Sequence, residues 1–256
     1  MKPIHYDITI EPHLEEAIEF DGSVVIDLDV LEETSSITLN AIDLEILETE
    51  VLTKDGKSLD ISRLDFDETE ERVTIGLKQI LAVGQKLKLK LSFKGSLLHN
   101  ASAFFRSPVV GNGGTTKWMV STQLEATDAG RVFPSFDEPA LKATFTVTLI
   151  ADRKLTCLGN MEVTSEVDIG KGKKAVTFHT TPPMSTYIVA FAVGDLEMIE
   201  TNSFRVPVRV YASADKNIEH GRFALELASR TLKAFEKIFD VDFPLPKMDL
   251  IAIPGG

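Results

Sequence analysis

Residues 118–145 read WMVSTQLEATDAGRVFPSFDEPALKATF, and the rest of the chain is best understood outward from them. Trp118, Val120 and Thr122 alternate with Met119, Ser121 and Gln123, a period of two that predicts a strand buried on at least one face and running to about Glu125. On such a strand Gln123 and Glu125 share a parity, so an amide and a carboxylate project from the same face of its end. A carboxylate is the natural partner of an ammonium group, since charge-assisted hydrogen bonds are roughly twice as strong as neutral ones. The pair suits a small cationic or amide ligand; a solvated acid at a strand end also satisfies the spacing. Turn formers and breakers follow. Phe133, Pro134 and Phe136 read as plugs, Asp137 as a helix N-cap, and Pro139 as an early residue of a short turn. Thr144, Thr146 and Thr148 then alternate with Phe145, Val147 and Leu149 in a strand with one polar and one apolar face.

A chain of 256 residues can bury roughly three quarters of its unfolded surface. Its 43% hydrophobic and 26% charged residues are those of an ordinary globular protein, without repeats or low-complexity stretches. The 27 Lys and Arg against 39 Asp and Glu give a net charge of −12, which opposes nucleic acid and anionic membranes as partners. The single cysteine, Cys157, excludes an internal disulfide and reads as a small buried residue in its LTCLG setting. The opening MKPIHYDITI lacks an apolar targeting core, and the longest apolar run, residues 187–193, is far short of the roughly 20 residues of a membrane helix. These features predict a cytoplasmic protein.

Strands are predicted at residues 4–10, with Ile4, Tyr6, Ile8 and Ile10 on one face, and at 20–30, with Val24, Ile26, Leu28 and Val30; both suit an antiparallel sheet. Shorter ones follow at 37–39, 44–52 and 73–77. Over residues 86–93, Leu87, Leu89, Leu91 and Phe93 alternate with Lys86, Lys88, Lys90 and Ser92, and the lysines read as a charged face that discourages edge pairing. The GNGGT of residues 111–115 has no helix after it, so it predicts a hairpin turn and not a phosphate loop. More strands are expected at 155–159, 175–180, 188–193 and 206–211. Over residues 218–239, Ala224, Leu227, Ala228, Leu232, Phe235, Ile238 and Phe239 form the stripe of an amphipathic helix, which Pro244 and Pro246 end before a strand at 248–253.

No H-E-x-x-H pair of zinc ligands with its general base occurs, and His5, His13, His99, His179 and His220 are scattered singly. Neither a Gly-x-Ser-x-Gly elbow nor a Cys and His arrangement suggests nucleophilic catalysis.

The string TQLEATDAGRVFPSFDEPALKATF, with AFFRS at residues 103–107, TPPMSTYIVAFAVGD at 181–195 and HYDITIEP at 5–12, resembles the N-terminal part of the zinc aminopeptidases of the aminopeptidase N and puromycin-sensitive type. The resemblance covers essentially the whole chain. It implies a mainly β fold: an antiparallel β-saddle or sandwich domain over residues 1–198, then, over 199–256, the opening strand, helix and strand of a thermolysin-like catalytic domain that is cut short. It also implies that Gln123 lines the pocket for the substrate's first side chain and that Glu125 receives its free amine, so that peptides with a free N-terminus are the partners. Gly130 stands where the family usually has Arg, which weakens any ion pair made there. After PLPKMDLIAIP the family continues with Asp-Phe and then a G-A-M-E-N loop; this chain ends in two glycines. By resemblance the zinc and its ligands belong to the parent enzyme, no cofactor is expected on this chain alone, and the chain by itself is expected to be inert. The helix stripe, short of cover from the remainder of the catalytic domain, is expected to fray or to form a dimer. The alternative is a non-catalytic interaction or peptide-binding protein with an aminopeptidase-like β domain.

Overall fold

The computed structural model describes residues 1–14, 18–110 and 116–254. Alternating side chains make most of its strands: in β1 (Lys2–Pro12) Tyr6, Ile8 and Ile10 are fully buried, and in β2 (Glu19–Asp29) Val24, Ile26 and Leu28 do the same. The chain continues through β3 (Thr34–Asn40), β4 (Leu44–Thr53), β5 (Ser58–Leu59), β6 (Ile61–Asp67), β7 (Arg72–Leu81), β8 (Lys86–Ser96), β9 (Ala103–Val110) and β10 (Thr116–Gln123). After a 3₁₀ turn at Ala129–Arg131 come β11 (Thr144–Asp152), β12 (Thr156–Gly159), β13 (Val163–Gly170), β14 (Lys173–Phe178), β15 (Phe191–Gly194), β16 (Leu196–Thr201) and β17 (Val208–Ser213). Helix α1 (Arg222–Phe239) and β18 (Met248–Ile251) complete a mainly β fold. The GNGGT turn falls outside the described residues.

The largest sheet runs β13-β14-β11-β1-β2-β8-β4-β5; smaller sheets run β12-β15-β10-β9, β3-β7-β6 and β16-β17-β18. Two pairings depart from the antiparallel expectation. β11 runs parallel to β1, with Phe145 opposite Tyr6, and β18 runs parallel to β17. In each case the chain has made a long excursion before returning, which is what a parallel pairing requires. The lysine face of β8 also needs correcting, because β8 is an interior strand between β2 and β4. Its lysines reach across to acids on both neighbours: Lys86 to Asp29 at 2.8 Å, Lys88 to Asp27 at 2.6 Å and Lys90 to Glu50 at 3.0 Å. The face is a cross-strand ion-pair ladder and guards no edge.

One continuous core joins the eight-stranded sheet, the four-stranded sheet and β3-β7-β6, and Tyr6 is fully buried in it. Its ring stacks on Phe145 at 4.8 Å and meets Phe133 edge-on at 6.2 Å, while its hydroxyl accepts the Phe136 N–H at 3.1 Å. The phenylalanines of the quoted stretch are plugs in this literal sense, and they anchor the segment that follows Glu125. A second core of Phe204, Val206, Val208 and Val210 holds α1 through Leu225 and Leu232.

Within α1 the buried face is Leu225, Ser229 and Leu232, with Ala224 and Ala228 half-buried beside it. Leu227, Phe235, Ile238 and Phe239, which the spacing assigns to the buried stripe, are exposed. With Phe223 they make a second apolar side, so the helix is apolar over more than half its circumference. The helix proper starts at Arg222, after a 3₁₀ turn at Ile218–Gly221 whose entry is capped by the Asn217 side chain accepting the Glu219 N–H.

Candidate functional site

β10 ends at Gln123, paired with Ala103 of β9, so Glu125 lies in the turn beyond and not on the strand itself. The alternation nevertheless carries through: Leu124 is buried, 1% exposed, and pins the turn to the core, while Gln123 and Glu125 are both exposed. The two are joined directly, the Glu125 N–H donating to Gln123 Oε1 at 3.3 Å. Among the described residues the Glu125 carboxylate makes no ion pair, which leaves a carboxylate and an adjacent amide facing outward together. The peptide bond between Glu125 and Ala126 is cis.

The turn closes where the Asp128 N–H donates to Leu124 O at 3.1 Å, and the 3₁₀ turn Ala129–Arg131 follows at once. The Asp128 carboxylate accepts Ser102 Oγ at 2.6 Å and Arg131 Nε at 3.2 Å. The same guanidinium pairs with Asp43 and, at 3.4 Å, with Glu71. Gly130 has no side chain to pair, and the ion pairs at this turn are those of Arg131. Gly130 is buried against Asn40, whose Cβ would lie 3.2 Å from a side chain added there, and its carbonyl accepts the Ile42 N–H at 3.0 Å. A larger residue at 130 needs Asn40 to give way.

Asp137 caps no helix, because none follows it. It bridges: its N–H donates to Asn40 Oδ1 at 3.2 Å, and its carboxylate accepts the Thr186 hydroxyl. Burial pushes its carboxyl above the ordinary aspartate range, partly offset by that hydroxyl. Cys157 is 7% exposed, and burial pushes its thiol up to about 11, so it is a packing residue with no nucleophile at neutral pH.

The peptidase M1 N-terminal domain matches residues 2–188. The chain belongs to that family. As an M1 chain it is similar to Aminopeptidase 2 of Candida albicans, 43% identical over 256 residues, covering 100% of this chain and 27% of that protein. It is 40% identical over 255 residues to the puromycin-sensitive aminopeptidase of Caenorhabditis elegans, covering 99% of this chain and 27% of the relative. To aminopeptidase N of Acetobacter pasteurianus it is 32% identical over 254 residues, covering 99% and 69%. The chain thus spans about a quarter of the length of the first two relatives.

M1 aminopeptidases in general depend on zinc. Among the described residues of this M1 chain, no three His, Cys, Asp or Glu side chains gather as a metal site would need. His5 is engaged with Thr144 at 2.8 Å and His13 with Asp21 at 2.7 Å. The described residues do not fit a zinc ion. Among the described residues no helix is long and apolar enough to cross a membrane. The sequence singles out Gln123 and Glu125 and passes over Asp128 and Arg131, whose one local signal is an acid and a base three apart in a turn.

Proposed function

We propose that this chain is the N-terminal part of a zinc metalloaminopeptidase that removes N-terminal residues from peptides, with Glu125 receiving the substrate's free ammonium group and Gln123 lining the pocket for its first side chain. The observation that carries the reading is the outward-facing Gln123 and Glu125 pair, held together by the Glu125 N–H on a turn that Leu124 anchors. A carboxylate carried on such an anchored turn counts the substrate from its charged end, which is how an exopeptidase declines internal bonds. In this reading residues 1–198 are the β-saddle domain and 199–256 open a thermolysin-like catalytic domain. The remainder of that domain brings zinc, its ligands and the general base. The outer apolar side of α1 is covered by that remainder, or by a second copy where the chain stands alone. The compartment is the cytoplasm.

Titration of the chain with leucinamide and with N-acetyl-leucinamide, followed by amide NMR, tests the amine contact. Only the free amine should shift the Gln123 to Ala126 signals, and Glu125→Ala should abolish that shift. In the longer enzyme Glu125→Ala should lower kcat/KM about a hundredfold, because a charged hydrogen bond is worth about 2–3 kcal/mol. Normal efficiency toward free-amine substrates in that variant would overturn the assignment.

A further inference from the structure

The Glu125 side chain has no ion-pair partner among the described residues, so its position is set from below by the turn that carries it. That turn is closed by one backbone bond, from Asp128 to Leu124 O, and Asp128 is in turn gripped by Ser102 and Arg131. Arg131 does more than hold its neighbour. Its guanidinium reaches Asp43, in the loop between β3 and β4, and Glu71, in the turn between β6 and β7. Both partners sit at positive φ of 54°, so each is presented by a tight left-handed turn and not by a flexible tail. The Glu71 turn is itself tied in, its carbonyl accepting the Ala41 N–H at 3.1 Å. Three carboxylates therefore converge on one cation whose planar fork can face several directions at once, a task a lysine ammonium performs poorly. Without the cation all three acids lose the partner that links them.

We propose that Arg131, acting through Asp128, is a positioning residue that holds the turn bearing Glu125 in the orientation that receives a substrate amine. This rests on the reading of Glu125 given above. The clamp joins the turn to two loops of the β domain, which makes the amine site a property of the tertiary fold and not of the local T-Q-L-E sequence.

The test uses the 256-residue chain with Arg131→Met, Arg131→Lys and Glu125→Gln, read by amide hydrogen exchange and by leucinamide titration. In Arg131→Met, exchange of the Asp128 N–H should rise at least about tenfold while the β2 and β8 amides keep their rates, the signature of local opening. The leucinamide-induced shift at Glu125 should shrink in parallel, and Arg131→Lys should fall between the two. Unchanged exchange at Asp128, or a rise shared equally by β8, would overturn the clamp. Glu125→Gln separates the two ideas: it should remove the leucinamide response and leave Asp128 exchange untouched. A leucinamide response that survives Glu125→Gln refutes the amine reading, and the exchange rates then still decide whether Arg131 holds the turn.

Discussion

Gly22 and Gly95 are fixed by the rings opposite them. In the antiparallel pairing of β2 with β8, Gly22 faces Phe93 and Phe20 faces Gly95, so the two strands exchange a ring for a gap twice over. A Cβ at Gly22 would lie 2.2 Å from the Phe93 ring, and one at Gly95 would lie 2.3 Å from that of Phe20. Both rings are buried, Phe20 at 0% and Phe93 at 1% exposure, and they meet edge-on at 6.5 Å, so neither can swing clear. Gly95→Ala should therefore cost roughly 1–3 kcal/mol through overpacking, seen as a lower denaturation midpoint with an unchanged slope. A midpoint equal to that of the parent chain would mean that the strands shift more easily than this packing allows. Legibility at this scale depends on range. Gln123 and Glu125 are readable because their relation is two residues long, and the plugs Phe133 and Phe136 because an aromatic beside proline after a strand has few places to go. Arg131 is not readable in that way, since its partners Asp43 and Glu71 stand 88 and 60 residues off, and no periodicity links them.

Strands with one buried face are legible at the scale of the element: the alternations of β2, β8 and β11 appear in the burial of their side chains, and that of β1 does from Tyr6 onward, whereas a register shift between Pro3 and His5 leaves Ile4, assigned by its spacing to the apolar face, 39% exposed. Where burial does not alternate, the signal fails. β13 is exposed along its whole length and β6 nearly so; each lies at the margin of its sheet, held by backbone pairing to one neighbour. Helix α1 fails differently. Periodicity finds it, but two apolar sides compete, and spacing alone cannot say which one meets β16 and β17. Packing answers through Leu225 and Leu232, which touch Val208 and Val210 of the sheet's central strand in the second core. Leu225→Ala or Leu232→Ala should destabilise the segment by about 2–5 kcal/mol, as loss of a buried leucine does. Ile238→Ser and Phe239→Ser, at 69% and 66% exposure, should leave the melting temperature alone and lower any concentration-dependent light scattering. If the outer substitutions unfolded the helix while the inner ones did not, the faces would be reversed.

At the scale of the whole molecule, one buried lysine joins the last strand to the four-stranded sheet β12-β15-β10-β9. Lys247 is 6% exposed, and lysine is almost never that deeply buried without a partner. Its ammonium donates to the carbonyl of Gly159 in β12 at 2.8 Å and pairs with Asp249 in β18, whose side chain is 8% exposed. Arg209 of β17 stands 3.7 Å from the other oxygen of that carboxylate. Val109, Met119, Leu158 and Ala192 of the β9-to-β12 sheet also meet Leu196, Tyr211, Ile251 and Ile253, so apolar contact accompanies this polar tie. Such a pair adds little net stability over an apolar replacement, because desolvation offsets its attraction, yet removing one partner strands the other's charge. Its value lies in direction: apolar surfaces slide, whereas an ammonium seated on one carbonyl fixes how β18 lies against β12. Lys247→Met should then cost about 3–5 kcal/mol, and amide exchange should rise first in β18 and α1 while β1, β2 and β8 stay protected. Adding Asp249→Leu should recover most of the lost stability, since no buried charge is left alone. It should not restore slow exchange in β18, because the register is then held by apolar contact only. Denaturation followed by exchange across the single and double variants decides this: a Lys247→Met chain that keeps both its midpoint and its β18 protection would show that the apolar contacts alone dock the last sheet.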